Sequence, residues 1–144
     1  MVLKNCVLAL VAGSVLAGCA APRTSGVQPE DLRNSVNFVT ETLIGDIDFP
    51  ALQRNLFQHR AACGWAPRFV MKERQTGYAN LFETDEIPES FENTILVDLV
   101  QYPESWRSPK RVEIRVYSYY YNDDVQKRVD RILSAVRQPG VCVP

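Results

Sequence analysis

Residues 112–136, VEIRVYSYYYNDDVQKRVDRILSAV, contain the change of period that decides the fold. Val112, Ile114 and Val116 alternate with Glu113 and Arg115, the two-residue period of a strand with one buried face. The run continues in β-forming residues through Tyr117-Ser118-Tyr119-Tyr120-Tyr121, so the strand is predicted to reach Tyr121. Val125, Val129, Ile132 and Val136 then recur at helical spacing. Asp123 is the expected N-cap of that helix, Gln126 completes a capping-box pattern three residues on, and Pro139-Gly140 ends it.

Working outward, Thr94 to Tyr102 is a second β-rich run, joined to the first through a long hairpin loop from Pro103 to Pro109. Phe69-Val70-Met71-Lys72 and Tyr78-Ala79-Asn80-Leu81-Phe82 flank Gln75-Thr76-Gly77, which reads as a hairpin. Asp48 as N-cap and Pro50 in the first turn open a helix with Leu52, Leu56 and Cys63 on its inner side, stopped by Gly64. Further back, Leu32, Val36, Val39 and Leu43 form one helical stripe ended by Gly45. The prediction is an α+β domain: an antiparallel sheet of three or four strands, helices packed on one face and a C-terminal helix.

The chain of 144 residues is 46% hydrophobic and 23% charged, an ordinary globular composition of one domain's length. A formal net charge of −1 lacks the basic footprint of a nucleic-acid binder. No internal repeat or low-complexity tract is visible.

The leader is read separately from the fold. Lys4 precedes an apolar run from Cys6 to Val15, closed by the small residues Ala17 and Gly18, the layout of a secretory signal too short to span a bilayer. Its end, Leu16-Ala17-Gly18-Cys19, resembles the lipobox of bacterial lipoprotein precursors at all four positions. The resemblance implies a signal peptide over 1–18, a diacylglyceryl and commonly further acylated Cys19, and no spanning helix. Two or more hydrocarbon chains suffice for stable anchoring. It also implies export to the outer membrane, because Ala20 rather than Asp follows the lipidated position. Residues 19–29 are the lipidated Cys and a tether too short to carry the domain far from the membrane, and 30–144 a single domain.

Cys6 would leave with the leader and Cys19 would carry lipid, so Cys63 and Cys142 remain for a disulfide in an oxidising compartment. The rival reading is a reactive Cys63 assisted by His59, without a third orienting residue. One histidine cannot build a histidine-rich zinc site, there is no Cys-x-x-Cys, and no Gly-rich phosphate loop occurs, so neither metal nor cofactor is expected. The Gly13-Ser14 trace lacks the second glycine of a nucleophile elbow. Glu83, Asp85, Glu86, Glu89 and Glu92 could pair for acid–base work, but read more simply as a solvated loop.

Two binding surfaces stand out. If Val112, Ile114 and Val116 face the core, Tyr117, Tyr119 and Tyr121 point to the other side, with Leu96, Val100 and Tyr102 beside them: a ring-rich face suited to an envelope protein or a second copy. Alternatively the rings are ordinary strand residues under a helix or loop. The loop residues Trp106, Arg107, Lys110 and Arg111 place three cations near an indole, a candidate contact for anionic lipid, lipopolysaccharide or glycan, or simply a solvated turn. The reading is a non-enzymatic outer-membrane lipoprotein, periplasm-facing, acting as a binding or structural module; the alternative is a glycan- or lipid-binding module using the Trp106 loop.

Overall fold

The computed structural model describes residues 25–143; the leader, the Leu16-Ala17-Gly18-Cys19 motif and Pro144 lie outside the described residues. The elements are α1 (Pro29–Leu32), β1 (Phe38–Gly45), α2 (Phe49–Cys63), β2 (Arg68–Met71), β3 (Tyr78–Phe82), β4 (Leu96–Tyr102), β5 (Arg111–Tyr117) and α3 (Asp123–Arg137). The strands make one antiparallel sheet in the order β1-β5-β4-β3-β2. The sheet therefore has five strands, not three or four.

The additional strand is β1, which occupies the span expected to be a helix. Thr40, Thr42 and Ile44 pair with Val116, Ile114 and Val112 of β5, while Glu41 and Leu43 pair with Arg115 and Glu113 on the opposite face. A register shift between Phe38 and Thr40 inserts Val39 as an extra residue. The spacings of four, three and four that imitate a helix join separate segments: Leu32 and Val36 precede the strand, and the extra residue breaks the two-residue period between Val39 and Leu43. The helical stripe does not exist: Leu32 is buried in α1, Val36 is 88% exposed and Leu43 is exposed on the sheet.

α2 follows the expected pattern. The Asp48 carboxylate accepts from the Ala51 N–H at 2.9 Å, Pro50 lies in the first turn, and Gly64 closes the helix with φ 72°. In α3 the cap is Asn122 rather than Asp123; its side-chain oxygen accepts from the Val125 N–H at 2.9 Å. The Gln126 side chain bonds Asp130, so the capping box is not formed. Val125, Val129, Ile132 and Val136 are buried as expected.

The long helices α2 and α3 pack on one face of the sheet. Their apolar sides meet Ala79, Leu81, Val97, Leu99, Val112, Ile114 and Val116 in the main core. Alternation turns Phe82, Leu96 and Tyr117 to the other face, where Leu32 of α1, Phe91 and Val27 cover them in a smaller cluster. Helical cover is thus not confined to one face. Val27 and Pro29, inside the span expected as tether, already belong to the fold. Cys63 and Cys142 form a disulfide with Cα atoms 5.5 Å apart, joining the end of α2 to the segment after α3. Among the described residues no helix is long and apolar enough to cross a membrane.

Candidate functional site

The second face of the sheet is only half covered, and its residues fall into rows across the strands. In the first row, Phe38–Tyr117–Leu96 with Phe82, the last three lie under α1 and Phe91, while Phe38 at the edge is half exposed. The next runs Glu41–Arg115–Asp98–Asn80, followed by Leu43–Glu113–Val100–Tyr78 and, at the far end, Arg111–Tyr102.

Charge is organised tightly in these rows. Arg33, the residue that ends α1, donates to both Asp98 oxygens, Nε at 2.7 Å and Nη2 at 3.0 Å, while Asn80 Nδ2 donates to the same carboxylate at 2.6 Å. The Asp98 hydrogen bonds hold the Arg33 guanidinium above its ordinary pKa. Arg115 Nε reaches Glu41 at 3.1 Å and forms an ion pair with Glu113. Tyr102 donates its O–H to Glu113 Oε2 at 2.6 Å, which keeps the phenol protonated to higher pH than usual. Glu113 Oε1 is buried and has no hydrogen-bond donor of good geometry, only the Arg115 contact.

A cleft of about 200 Å³ opens between Arg33, Lys72, Tyr78, Asp98, Val100 and Arg115. A second, of about 340 Å³, lies across Arg33 and Arg115 beside Phe38 and Glu41. On these walls Asp98 is held by Arg33 and Asn80, and Glu41 by Arg115. A wider depression of about 520 Å³ around exposed Phe57 is lined by α2 alone, through Pro50, Gln53, Arg54 and Gln58.

The tyrosine face expected from the sequence is not assembled. β5 ends at Tyr117, whose ring is buried in the smaller cluster, and Tyr102 lies at the opposite end of the sheet, engaged with Glu113. Tyr119 and Tyr121 belong to the turn after the strand, so the alternation that would align them with Tyr117 stops before them. Beyond Tyr117 the neighbouring strands run out: β1 begins at Phe38 and β4 at Leu96, both opposite Tyr117, and the Ser118 N–H makes one further bond to the Asn37 carbonyl at 2.9 Å.

The Trp106 loop is likewise divided. Ser105 and Ser108 exchange backbone hydrogen bonds of 2.9 and 3.2 Å, leaving Trp106 and Arg107 as a two-residue turn. Trp106 is 85% exposed, and the Arg107 guanidinium stacks 4.0 Å from its ring centroid. Lys110 turns away to Asp48 at 2.9 Å, and this bond, with the Ala51 N–H, lowers the Asp48 pKa. Arg111 lies over the Tyr102 ring at 4.7 Å.

Of the remaining candidates, Cys63 is in the disulfide and therefore holds no thiol for His59 to activate. The acidic stretch is dispersed: Glu83 is bidentate to Arg128, Asp85 meets Arg60 at 3.5 Å, and Glu92 accepts from Tyr120. Among the described residues no group of three His, Cys, Asp or Glu side chains is placed to hold a metal ion. Sequence reading missed Arg33, Glu41, Asp98, Glu113 and Arg115. The available signal is the charged residue set between aliphatics in Val97-Asp98-Leu99 and Val112-Glu113-Ile114-Arg115-Val116.

Compared with known protein families, curated proteins and solved structures, the chain matches none of them.

Proposed function

We propose that this protein is a small, non-enzymatic lipoprotein of the bacterial outer membrane, facing the periplasm, and that it works as a binding module for another envelope protein. The lipobox-like Leu16-Ala17-Gly18-Cys19 supports the anchor. The Cys63–Cys142 disulfide is consistent with an exported, oxidising location. The observation that carries the binding role is Trp106, 85% exposed on a turn closed by two backbone hydrogen bonds, with Arg107 stacked on it. An indole and a guanidinium stacked on each other in solvent offer large contact area, a property of interface anchors.

The turn stands at the end of the sheet opposite Val27, so an anchored chain would present it away from its own membrane. Trp106→Ala should leave stability within about 0.5 kcal/mol, because the side chain packs against little. The same change should remove the protein's principal envelope crosslinks. Unchanged crosslinks would reject this surface. The Trp106–Arg107 stack also favours a second reading, a glycan or anionic headgroup bound at Trp106, Arg107 and Arg111, with Lys110 already engaged by Asp48. A salt-sensitive pull-down on peptidoglycan or lipopolysaccharide, lost in Arg107→Gln, would select it over a protein partner.

A further inference from the structure

We infer that the tyrosine turn and the start of β1 form a seat on the bilayer, contacting a zwitterionic headgroup layer at the end of the sheet nearest the anchor. The inference rests on the lipoprotein reading above and assigns a surface to it. Tyr119, Tyr120 and Tyr121 follow β5 and stand exposed, Tyr121 to 75%, beside Val36 and the half-exposed Phe38. The Ser118–Asn37 backbone bond joins the two segments, so these side chains share one end of the sheet. Tyr119 and Tyr120 pack edge-to-face on each other, while Val36 and Tyr121 are left largely to solvent.

The covalent path places them near lipid. Tyr120 donates to Glu92 at 3.0 Å, and the neighbouring Phe91 N–H donates to the Val27 carbonyl at 2.8 Å. The chain thus enters the fold beside this rim. From Cys19 to Ser25 is six residue steps, which span at most about 20 Å however they run. β5 separates the rim from the Trp106 end by seven residues, itself about 20 Å of strand before the turn is added. The rim is therefore the end that an anchor at position 19 keeps at the surface.

The chemistry of the rim fits that layer. Tyrosine has an apolar body and a hydroxyl tip, and such rings settle at headgroup depth. The arginines at this end are already paired, Arg33 with Asp98 and Arg128 with Glu83, and exposed Lys127 stands against Glu89, Glu92, Asp123 and Asp124, an acidic excess. An anionic surface would repel these groups, whereas a zwitterionic one would not. The partner is accordingly a neutral phospholipid interface rather than an acidic one.

The test uses full-length protein purified from the cells that process it, its lipid content read by intact mass, reconstituted in phosphatidylcholine vesicles. Hydroxyl-radical footprinting then compares Tyr119 with Tyr78, which are exposed to almost the same degree, 48% and 47%. Oxidation at Tyr119 and Tyr121 is expected to slow at least threefold relative to Tyr78, with Trp106 remaining reactive. Replacing a third of the lipid by phosphatidylglycerol at low salt should weaken that protection. Lipidated protein with equal rates at Tyr119 and Tyr78 would overturn the seat while leaving the anchor standing. So would protection of Trp106 in place of the tyrosines. Protection that disappears when protein is diluted in a constant excess of lipid would assign the rim to a second copy instead. A bare Cys19 in the mass spectrum would remove the anchor and the seat together.

Discussion

His59 lies buried where α2 meets the C-terminal segment. Its Nδ1 accepts from the Gly140 N–H at 3.4 Å and lies 4.0 Å from Cys63 Sγ, and the Trp65 ring packs edge-on nearby. Burial lowers its pKa, and the Arg131 guanidinium, itself stacked on Trp65, lowers it further. A histidine whose folded pKa is lowered binds protons more readily in the unfolded chain. Its contribution is thus fully present above the unfolded value, about 6.5, and is lost as pH falls below that. Melting temperature should decline between pH 6.5 and 5, and His59→Asn, which keeps an acceptor near Nδ1 but does not titrate, should flatten that decline. A slope unchanged in the variant would assign the acid sensitivity to other groups. His59 also shows why single residues are hard to read from sequence. Its spacing to Cys63 suggests a catalytic pair, yet the partner that settles its role, Gly140, is 81 positions away. The same applies to Arg33, whose carboxylate partner Asp98 is 65 positions distant.

Among the elements, the start of α3 separates two cap assignments differing by one residue. Asn122 accepts the Val125 N–H, whereas Asp123 is the first residue of the helix and acts only through its charge near the positive end of the dipole. Asn122→Ala should cost about 1 kcal/mol in chemical denaturation. Asp123→Asn should cost only about 0.3 kcal/mol, and less in high salt. The reverse order would restore Asp123 as the cap. Most elements were legible because each carried its own signal: Asp48, Pro50 and Gly64 bound α2, and strict alternation marks β5. β1 was not, because the extra residue at Val39 put its inward positions out of phase. Composition was the better guide there: Phe38, Val39, Thr40, Thr42 and Ile44 are β-formers, and a helix built of them would crowd its own turns. β5 is shorter than its residues suggest for the converse reason. Tyr119, Tyr120 and Tyr121 have strand propensity, but β1 and β4, the strands they would pair with, both begin opposite Tyr117. The cleft between Arg33 and Arg115 was illegible on the same ground, since it needs β1 beside β5 and α1 above β4 before its charges meet.

At the scale of the whole molecule the chain must cross the sheet. β2 to β5 form a meander, while β1 lies at the far edge beside β5, so α2 carries the chain beneath the sheet from one edge to the other. The disulfide fastens the end of that crossing to the last residues of the domain, closing a loop with a sequence separation of 79. Little else holds the C-terminal segment: Val141 bonds to Gln138 and Ser134, and Gly140 to His59. Cross-linking so long a loop removes about 4–5 kcal/mol of chain entropy from the unfolded state, comparable with the whole stability of many domains. The main core is built from α2, α3 and the sheet without any sulfur atom, so the reduced chain should still fold. Its melting temperature should fall by about 15 °C for a domain of this size. Calorimetry with and without reductant measures the drop, and titration of unreduced protein should find neither Cys63 nor Cys142 reactive. A fall of only a few degrees would mean that the reduced, unfolded chain still keeps the end of α2 near its C-terminus, because a cross-link stabilises only by excluding states the open chain could otherwise visit.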